Sequence, residues 1–224
     1  MNTNYLSQIR KNIAIISSLE YNPSTVFRDF IDLSFWAFQR NDDSYLKTMN
    51  RYNNDRKVGK RPADYFANTL FNLLSHMKKT DEEVLSKLYM EYCYNSNIGQ
   101  FFTPTDLCDL CSKLLHGDKE LKGNIYDPAC GAGSMLISMC KEMTNKEIDN
   151  SLFIGQDIDF NCVQMCALNL LFFNLNGIVI FGNTLTVEVN RVFITKRSYA
   201  FGGSLAEDKD TDKWKLFIEN NLNK

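Results

Sequence analysis

Hydrophobic residues recur at helical spacing along the first part of the chain. The segments in which apolar positions repeat every three or four residues are 5–19, 26–38, 65–77 and 84–94. Asn22 followed by Pro23 is typical of a helix start, because asparagine caps the first turn and proline fits its first position. This region has almost no strand signal, so we predict a bundle of four or five helices over residues 1–98.

The pattern changes at about residue 99, where short apolar runs begin to alternate with helical segments. The runs that predict strands are 124–126, 152–155 and 178–181, and the helical segments between them are 134–143 and 161–174. Strand, helix, strand, helix, strand is the order of a parallel sheet with right-handed crossovers. We therefore predict an α/β chain in which the helical bundle precedes a partial Rossmann-like sheet in a second domain, residues 99–224.

The last part of the chain has a weaker pattern. Residues 192–194 predict a fourth strand, residues 199–213 a loop with two glycines and a run of charges, and residues 214–222 a terminal helix. This gives three strands, or four if residues 192–194 form one.

The composition is that of a soluble globular protein, with 44% hydrophobic and 23% charged residues among 224. No apolar run reaches the roughly 18 residues of a membrane span, and the first ten residues are polar, so we expect neither a span nor a signal peptide. Seven cysteines, an odd number, favour reduced thiols and a cytoplasmic protein. Cys108 and Cys111 form a lone C-x-x-C; since zinc needs further ligands, we expect no metal there.

The net charge of −2 does not indicate nucleic acid binding, but one local cluster is basic. It could contact phosphates, and it is equally typical of a solvated turn between helices. The cluster consists of Arg51, Arg56, Lys57, Lys60 and Arg61, opposed by Asp55.

Residues 127–134 (DPACGAGS), here called the glycine loop, connect a predicted strand to a predicted helix. In an open α/β sheet ligands bind at such strand ends, and Gly131 and Gly133 let a ligand approach the backbone. A phosphate loop would need a lysine, which is absent, and a dinucleotide fingerprint would need a third glycine where Leu136 stands. S-adenosylmethionine (SAM) carries positive ammonium and sulfonium groups, for which Asp127 supplies a carboxylate. All three interpretations imply a ligand site.

The next two strands also end in polar residues. Asp157 follows the second strand and can bind both hydroxyls of a ribose, while Asp159 is placed to cap the next helix. Asn183 follows the third strand and offers a donor and an acceptor to an adenine edge, although asparagine is also common in turns.

Four segments, taken together, resemble the N6-adenine DNA methylases, in particular the modification subunits of type I restriction systems. Residues 98–104 (IGQFFTP) precede the glycine loop, and residues 155–157 (GQD) and 182–185 (GNTL) follow it in the family's order. The resemblance covers about residues 60–190, because the helical segment before Gly99 also resembles the family's N-terminal bundle.

The resemblance implies that SAM is the cofactor and assigns its methionine end to two segments. Gln100, Phe102 and Thr103 would contact the methionine part. Asp127 and Gly131 would lie against its amino group and backbone.

The same resemblance assigns the nucleoside end. Asp157 would hold the ribose, Ile158 would pack on the adenine, and Asn183 would face the adenine amino group. Gly133 would complete the glycine loop beneath the cofactor.

The family's methyl-transfer loop, N-P-P-[FY], is absent from these 224 residues, because no proline follows Pro128. That loop holds the adenine that has been flipped out of the DNA duplex. Tyr199 and Phe201 are the candidates for stacking on a base in the equivalent region.

Three functions remain open. The first is a SAM-binding, DNA adenine-N6 methyltransferase-like protein of a restriction-modification system that needs a partner for transfer. The second is an active methylase with a divergent loop around residues 199–203. The third is a non-enzymatic module that uses this fold to bind DNA or protein. The expected partners are double-stranded DNA and either a second subunit or a second copy of the chain, since a short sheet leaves strand edges open.

Overall fold

The computed structural model describes residues 4–93, 101–117, 120–121, 123–200 and 202–221. The contacts divide the chain into two compact units, Met1–Gln100 and Phe101–Lys224.

The first unit contains five helices among its described residues, which confirms the predicted bundle. They are α1 (Tyr5–Ser17), α2 (Pro23–Gln39), α3 (Asp42–Met49), α4 (Pro62–Thr80) and α5 (Leu85–Cys93). The side chain of Asn22 accepts the Ser24 N–H and Pro23 opens α2, as the sequence indicated. Fully buried side chains such as Ile13 and Phe27 form the core between these helices.

The second unit is a mixed α/β layer structure. Its helices are α6 (Thr105–His116), α7 (Ser134–Glu142), α8 (Asn145–Asp149), α9 (Phe160–Phe172) and α10 (Thr211–Asn221). Its strands are β1 (Gly123–Asp127), β2 (Ser151–Asp157), β3 (Gly177–Phe181), β4 (Arg191–Lys196) and β5 (Ser204–Asp208). The first four strands and the terminal helix were predicted. The expectation that residues 199–213 form only a loop is wrong, because β5 lies within them.

The strands form one sheet in the order β1-β2-β3-β4-β5. The first three are parallel, whereas β4 runs antiparallel to β3 and β5 antiparallel to β4. Asp127, Asp157 and Phe181 therefore end at one edge of the sheet, which we call the carboxyl edge. The opposite edge, where β2 and β3 begin, is called the amino edge.

Helices cover both faces of the sheet. On one face, Trp214 and Ile218 of α10 pack with Ile154 and Ile180. On the other face α7 and α9 pack against the strands, and α9 is almost entirely buried, which explains its lack of a polar side. No described helix is long and apolar enough to cross a membrane.

Candidate functional site

The carboxyl edge brings together the two acidic residues that the sequence singled out. Asp127 pairs with Gly155 in the parallel register, so Asp157 extends two residues beyond it on the neighbouring strand. Both side chains point to the same face of the sheet, because strand residues alternate and these two positions are in phase. One Asp157 carboxylate oxygen accepts the Gly131 N–H at 2.9 Å, which fastens the glycine loop to the tip of β2.

The pKa values of both carboxyl groups are raised above the ordinary value. Burial is the main cause for each, and their mutual repulsion adds to the pKa of Asp127. Backbone N–H groups offset part of the shift: Ala129 donates to Asp127, and Asp159 donates to Asp157. In the described part of the chain neither carboxylate forms an ion pair. The site is therefore chemically suited to a ligand that brings positive charge.

The glycine loop needs both of its central glycines. Gly131 and Gly133 have φ values of 52° and 83°, a left-handed conformation that other residues adopt only with strain. A Cβ on Gly131 would lie 2.8 Å from the ring of Phe102, and one on Gly133 would lie 2.9 Å from the sulfur of Cys166. Phe102 therefore packs directly on the loop, and α9 supports the loop from below.

Three loops at the carboxyl edge are bonded to one another. The N–H of Gly182 donates to the carbonyl of Asp157 at 3.0 Å, which joins the end of β3 to the end of β2. The hydroxyl of Thr184 donates to the carbonyl of Pro128 at 2.6 Å, which joins the third loop to the first. With the contact between Gly131 and Asp157, the three strand ends hold one another in place.

Gln156 is a structural residue of this site to which the sequence motifs assign no role. It is fully buried, its side-chain carbonyl accepts the Tyr126 hydroxyl at 2.8 Å, and its amide donates to the carbonyl of Glu188 at 3.3 Å. The signal in the sequence was an uncharged polar residue inside an otherwise apolar strand. Such a residue needs partners on both sides, and here those partners are β1 and the loop after β3.

The residues predicted near the nucleoside differ in their exposure and in the hydrogen bonds they already form. The side chain of Ile158 is 68% exposed at the carboxyl edge, which leaves it available to pack against a flat ring. Asp159 caps α9 by accepting the Asn161 N–H at 2.9 Å, as expected. The side-chain oxygen of Asn183 already accepts the Leu185 N–H at 3.0 Å, so its amide N–H₂ is the group more open to a ligand.

Two of the three residues predicted for the methionine end are described. Phe102 packs on the glycine loop, while Thr103 is exposed and its carbonyl accepts the thiol of Cys108 at 3.7 Å. Gln100 lies outside the described residues. Cys108 is buried on α6, and the described residues include no group of His, Cys, Asp and Glu side chains arranged to hold a metal ion.

Tyr199 does not reach this site. Because β4 runs antiparallel, the turn between β4 and β5 lies at the amino edge, about 13 Å from the strand tips if a five-residue strand separates the edges. There the Tyr199 hydroxyl donates to Asp149 at 2.6 Å, and the guanidinium of Arg197 lies over its ring. This position argues against Tyr199 as a residue that stacks on a base beside the cofactor. Phe201, the other candidate, lies outside the described residues.

Comparison with known proteins identifies the family. The model of the N-6 DNA methylase family matches residues 80–198, more than half of the 224 residues, and this span contains the glycine loop and all three carboxyl strand tips. The chain belongs to the N-6 DNA methylase family.

Individual relatives match over shorter stretches. The methylase subunit of the type I restriction enzyme MpnII from Mycoplasma pneumoniae is 30% identical over 109 residues, 47% of this chain and 20% of the relative. The type II methyltransferase M.BanIII from Aneurinibacillus aneurinilyticus is 31% identical over 109 residues, 45% of this chain and 17% of the relative. The chain thus spans a fifth or less of the length of these two proteins.

Among solved structures, one similar chain is described as a class I SAM-dependent methyltransferase from Listeria monocytogenes. The match covers 80% of this chain and 54% of that one, at 15% identity and a TM-score of 0.47.

Proposed function

We propose that this chain binds SAM at the carboxyl edge of its sheet and is the cofactor-binding part of a DNA adenine-N6 methyltransferase of a restriction-modification system. The observation that carries the proposal is the pair of half-buried carboxylates, Asp127 and Asp157, at the ends of neighbouring strands, neither of which forms an ion pair with any residue that the structure describes. A half-buried carboxylate without a compensating cation costs stability even when it accepts backbone N–H groups, as both do here, so the pair is best explained by a ligand that brings positive charge.

The residues present fit SAM in charge and in hydrogen-bonding groups. The ammonium of SAM would compensate Asp127, and the ribose hydroxyls would donate to Asp157. The exposed Ile158 would cover one face of the adenine, and the amide of Asn183 would donate to a ring nitrogen. When bound, SAM would supply the methyl group, and the bonded loops would fix its orientation before any base arrives.

Methyl transfer itself needs groups that accept the adenine amino hydrogens. No N-P-P-[FY] motif occurs in the 224 residues, and Tyr199 is turned toward the amino edge. We therefore propose that the base-holding loop is contributed from outside this sequence. The displaced position of Tyr199 also favours a second candidate function, a module that binds DNA or protein through this fold without transferring a methyl group.

Calorimetric titration with SAM tests the proposed pocket. We expect the wild-type chain to bind SAM and Asp157→Asn to lose about tenfold to a hundredfold in affinity, because a hydrogen bond to a charged group contributes about 1.5–3 kcal/mol. Glu219→Gln makes the same carboxylate-to-amide change at an exposed position on α10 and should bind like the wild type. A folded wild type that does not bind SAM would exclude the pocket and leave the non-enzymatic function.

The helical unit offers a surface that fits the DNA partner. Two of the five cations in the predicted basic cluster are neutralised, since Arg51 pairs with Asp29 at 2.6 Å and Arg61 with Asp64 at 2.8 Å. The remaining three are exposed and form no ion pair within the described chain. They are Arg56, Lys57 and Lys60.

The loop that carries these cations is held in one conformation. The carboxylate of Asp64 accepts the N–H groups of Gly59 and Arg61, and Asn54 accepts the Ala63 N–H. A loop that is already ordered loses less conformational entropy on binding a phosphate backbone than a flexible loop does. We infer that this loop contacts DNA phosphates.

Salt-dependent binding to a duplex oligonucleotide of random sequence tests the loop. Replacing Lys57 and Lys60 together by alanine should weaken binding and lower the slope of log affinity against log salt by about 1.8, since each phosphate contact contributes about 0.9. The matched control replaces Lys11 and Lys78, two exposed lysines elsewhere in the same unit. Equal slopes for the two double variants would show that the loop has no special role.

A further inference from the structure

One helix of the sheet unit exposes an apolar stripe. Leu107, Leu110 and Leu114 are 48%, 54% and 74% exposed, and their spacing of three and four residues places them on one face of α6. The opposite face is occupied: Cys108 and Ser112 are fully buried there. The three leucines therefore point directly away from the unit that α6 belongs to.

The inner face of α6 is fixed, so the stripe cannot simply turn inward. The carboxylate of Asp109 accepts the Ser138 hydroxyl at 2.7 Å, and α6 packs along α7. Three exposed leucines aligned on one helix face form a continuous apolar patch, unlike the single exposed apolar residues of an ordinary surface. Apolar residues spaced by three and then four positions form the seam along which two helices pack against each other.

The charges beside the stripe indicate what covers it. Asp106 and Lys113 flank the leucines on one side of the helix, both are exposed, and neither forms an ion pair within the described chain. If a second α6 lay antiparallel with Leu110 opposite Leu110, Leu107 would lie opposite Leu114, and Asp106 would lie beside Lys113 of the other copy. In a parallel two-fold arrangement Asp106 and Lys113 would lie on the opposite side of the seam from the same residues of the other copy, so this pairing would not form.

We propose that α6 is the interface of a homodimer, in which the stripe of Leu107, Leu110 and Leu114 packs antiparallel on the same stripe of a second copy of this chain. A surface that is complementary to itself under a two-fold rotation is what a cyclic dimer requires. Each dimer would contain two Asp106–Lys113 pairs, one at each end of the seam. Leu115, 67% exposed, would lie at the margin of the interface.

The oligomeric state of the full chain tests this proposal. Sedimentation velocity over a wide concentration series should show a dimer for the wild type and a monomer for Leu110→Glu, which places a charge in the middle of the seam. Leu216→Glu is the matched control, because Leu216 is 57% exposed on α10 and outside the seam; it should remain dimeric. Circular dichroism checks that each variant is folded.

A charge exchange tests the antiparallel arrangement without touching the leucines. Asp106→Lys should raise the dimer dissociation constant about tenfold, because each lysine would then face Lys113 of the other copy. Adding Lys113→Asp should restore the wild-type constant. Three results would each overturn the proposal. They are a monomeric wild type, as expected if another protein covers the stripe, a dimer that survives Leu110→Glu, and a double variant whose dissociation constant is no lower than that of Asp106→Lys.

Discussion

Gly182→Ala is expected to lower the free energy of unfolding by more than about 3 kcal/mol, the largest effect predicted for this chain. A Cβ at this position would lie 1.8 Å from the carbonyl oxygen of Glu188 and 2.7 Å from its carbonyl carbon. Both atoms belong to the backbone, so no side-chain rotation can relieve the overlap.

The loop after β3 cannot move away without losing other contacts. The Glu188 carbonyl accepts the Gln156 amide, the Glu188 N–H donates to Asn183 at 2.9 Å, and the Gly182 N–H donates to Asp157. Moving the loop would therefore separate β3 from β2 at the carboxyl edge. We expect the variant to lose stability in urea unfolding and to bind SAM poorly.

Gly202→Ala is the control for this substitution. Gly202 has a φ of 76° but open space around its Cβ position, so the substitution should cost only the backbone strain of about 1–2 kcal/mol. Equal losses for the two variants would show that the close approach of Glu188 to Gly182 is not present in solution.

Gly155→Ala is expected to have the second largest effect, a loss of about 2–3 kcal/mol in the free energy of unfolding. A Cβ there would lie 2.9 Å from the sulfur of Cys130 and 2.9 Å from that of Cys166. Both thiols are buried, and the two sulfurs fill the space beneath the glycine loop. The hydrogen bond with the Cys166 thiol, together with burial, raises the pKa of Cys130.

Removing the two sulfurs should reverse this effect. In a background with Cys130→Ala and Cys166→Ala, the additional methyl group of Gly155→Ala would enter vacated space and should cost less than about 1 kcal/mol. Urea unfolding of all four chains measures the coupling. If the cost of Gly155→Ala is the same in both backgrounds, the thiols do not account for the need for glycine.

The strands that carry the site could be predicted because they are short apolar runs followed at once by polar residues. β1, β2 and β3 were recognised in this way, and so was α9, whose apolar sequence on all sides reflects burial on all sides. β5 was missed because its five residues, SLAED, contain two acids and only two apolar residues. Its place is determined by pairing with β4, and such pairing leaves no local signal.

The candidate site was predictable in part for the same reason. Asp127 and Asp157 could be placed side by side because parallel strands end at one edge of a sheet. The position of Tyr199 could not be predicted, because it depends on β4 running antiparallel to β3. The sequence of a six-residue strand does not determine whether that strand is parallel or antiparallel to its neighbour. The hydrogen bonds from Thr184 to Pro128 and from Gln156 to Glu188 could not be predicted either, because each joins residues that are far apart in the sequence.

The position of β1 at the end of the sheet has a consequence for the local stability of the glycine loop. Within the described chain β1 pairs with β2 alone, whereas β2 and β3 have a strand on each side. The outward amides of β1 can exchange their hydrogens through small local openings, while those of β2 require much larger unfolding. A ligand bound across Asp127 and Asp157 would connect a strand that opens easily to one that does not, and would thereby slow exchange in β1.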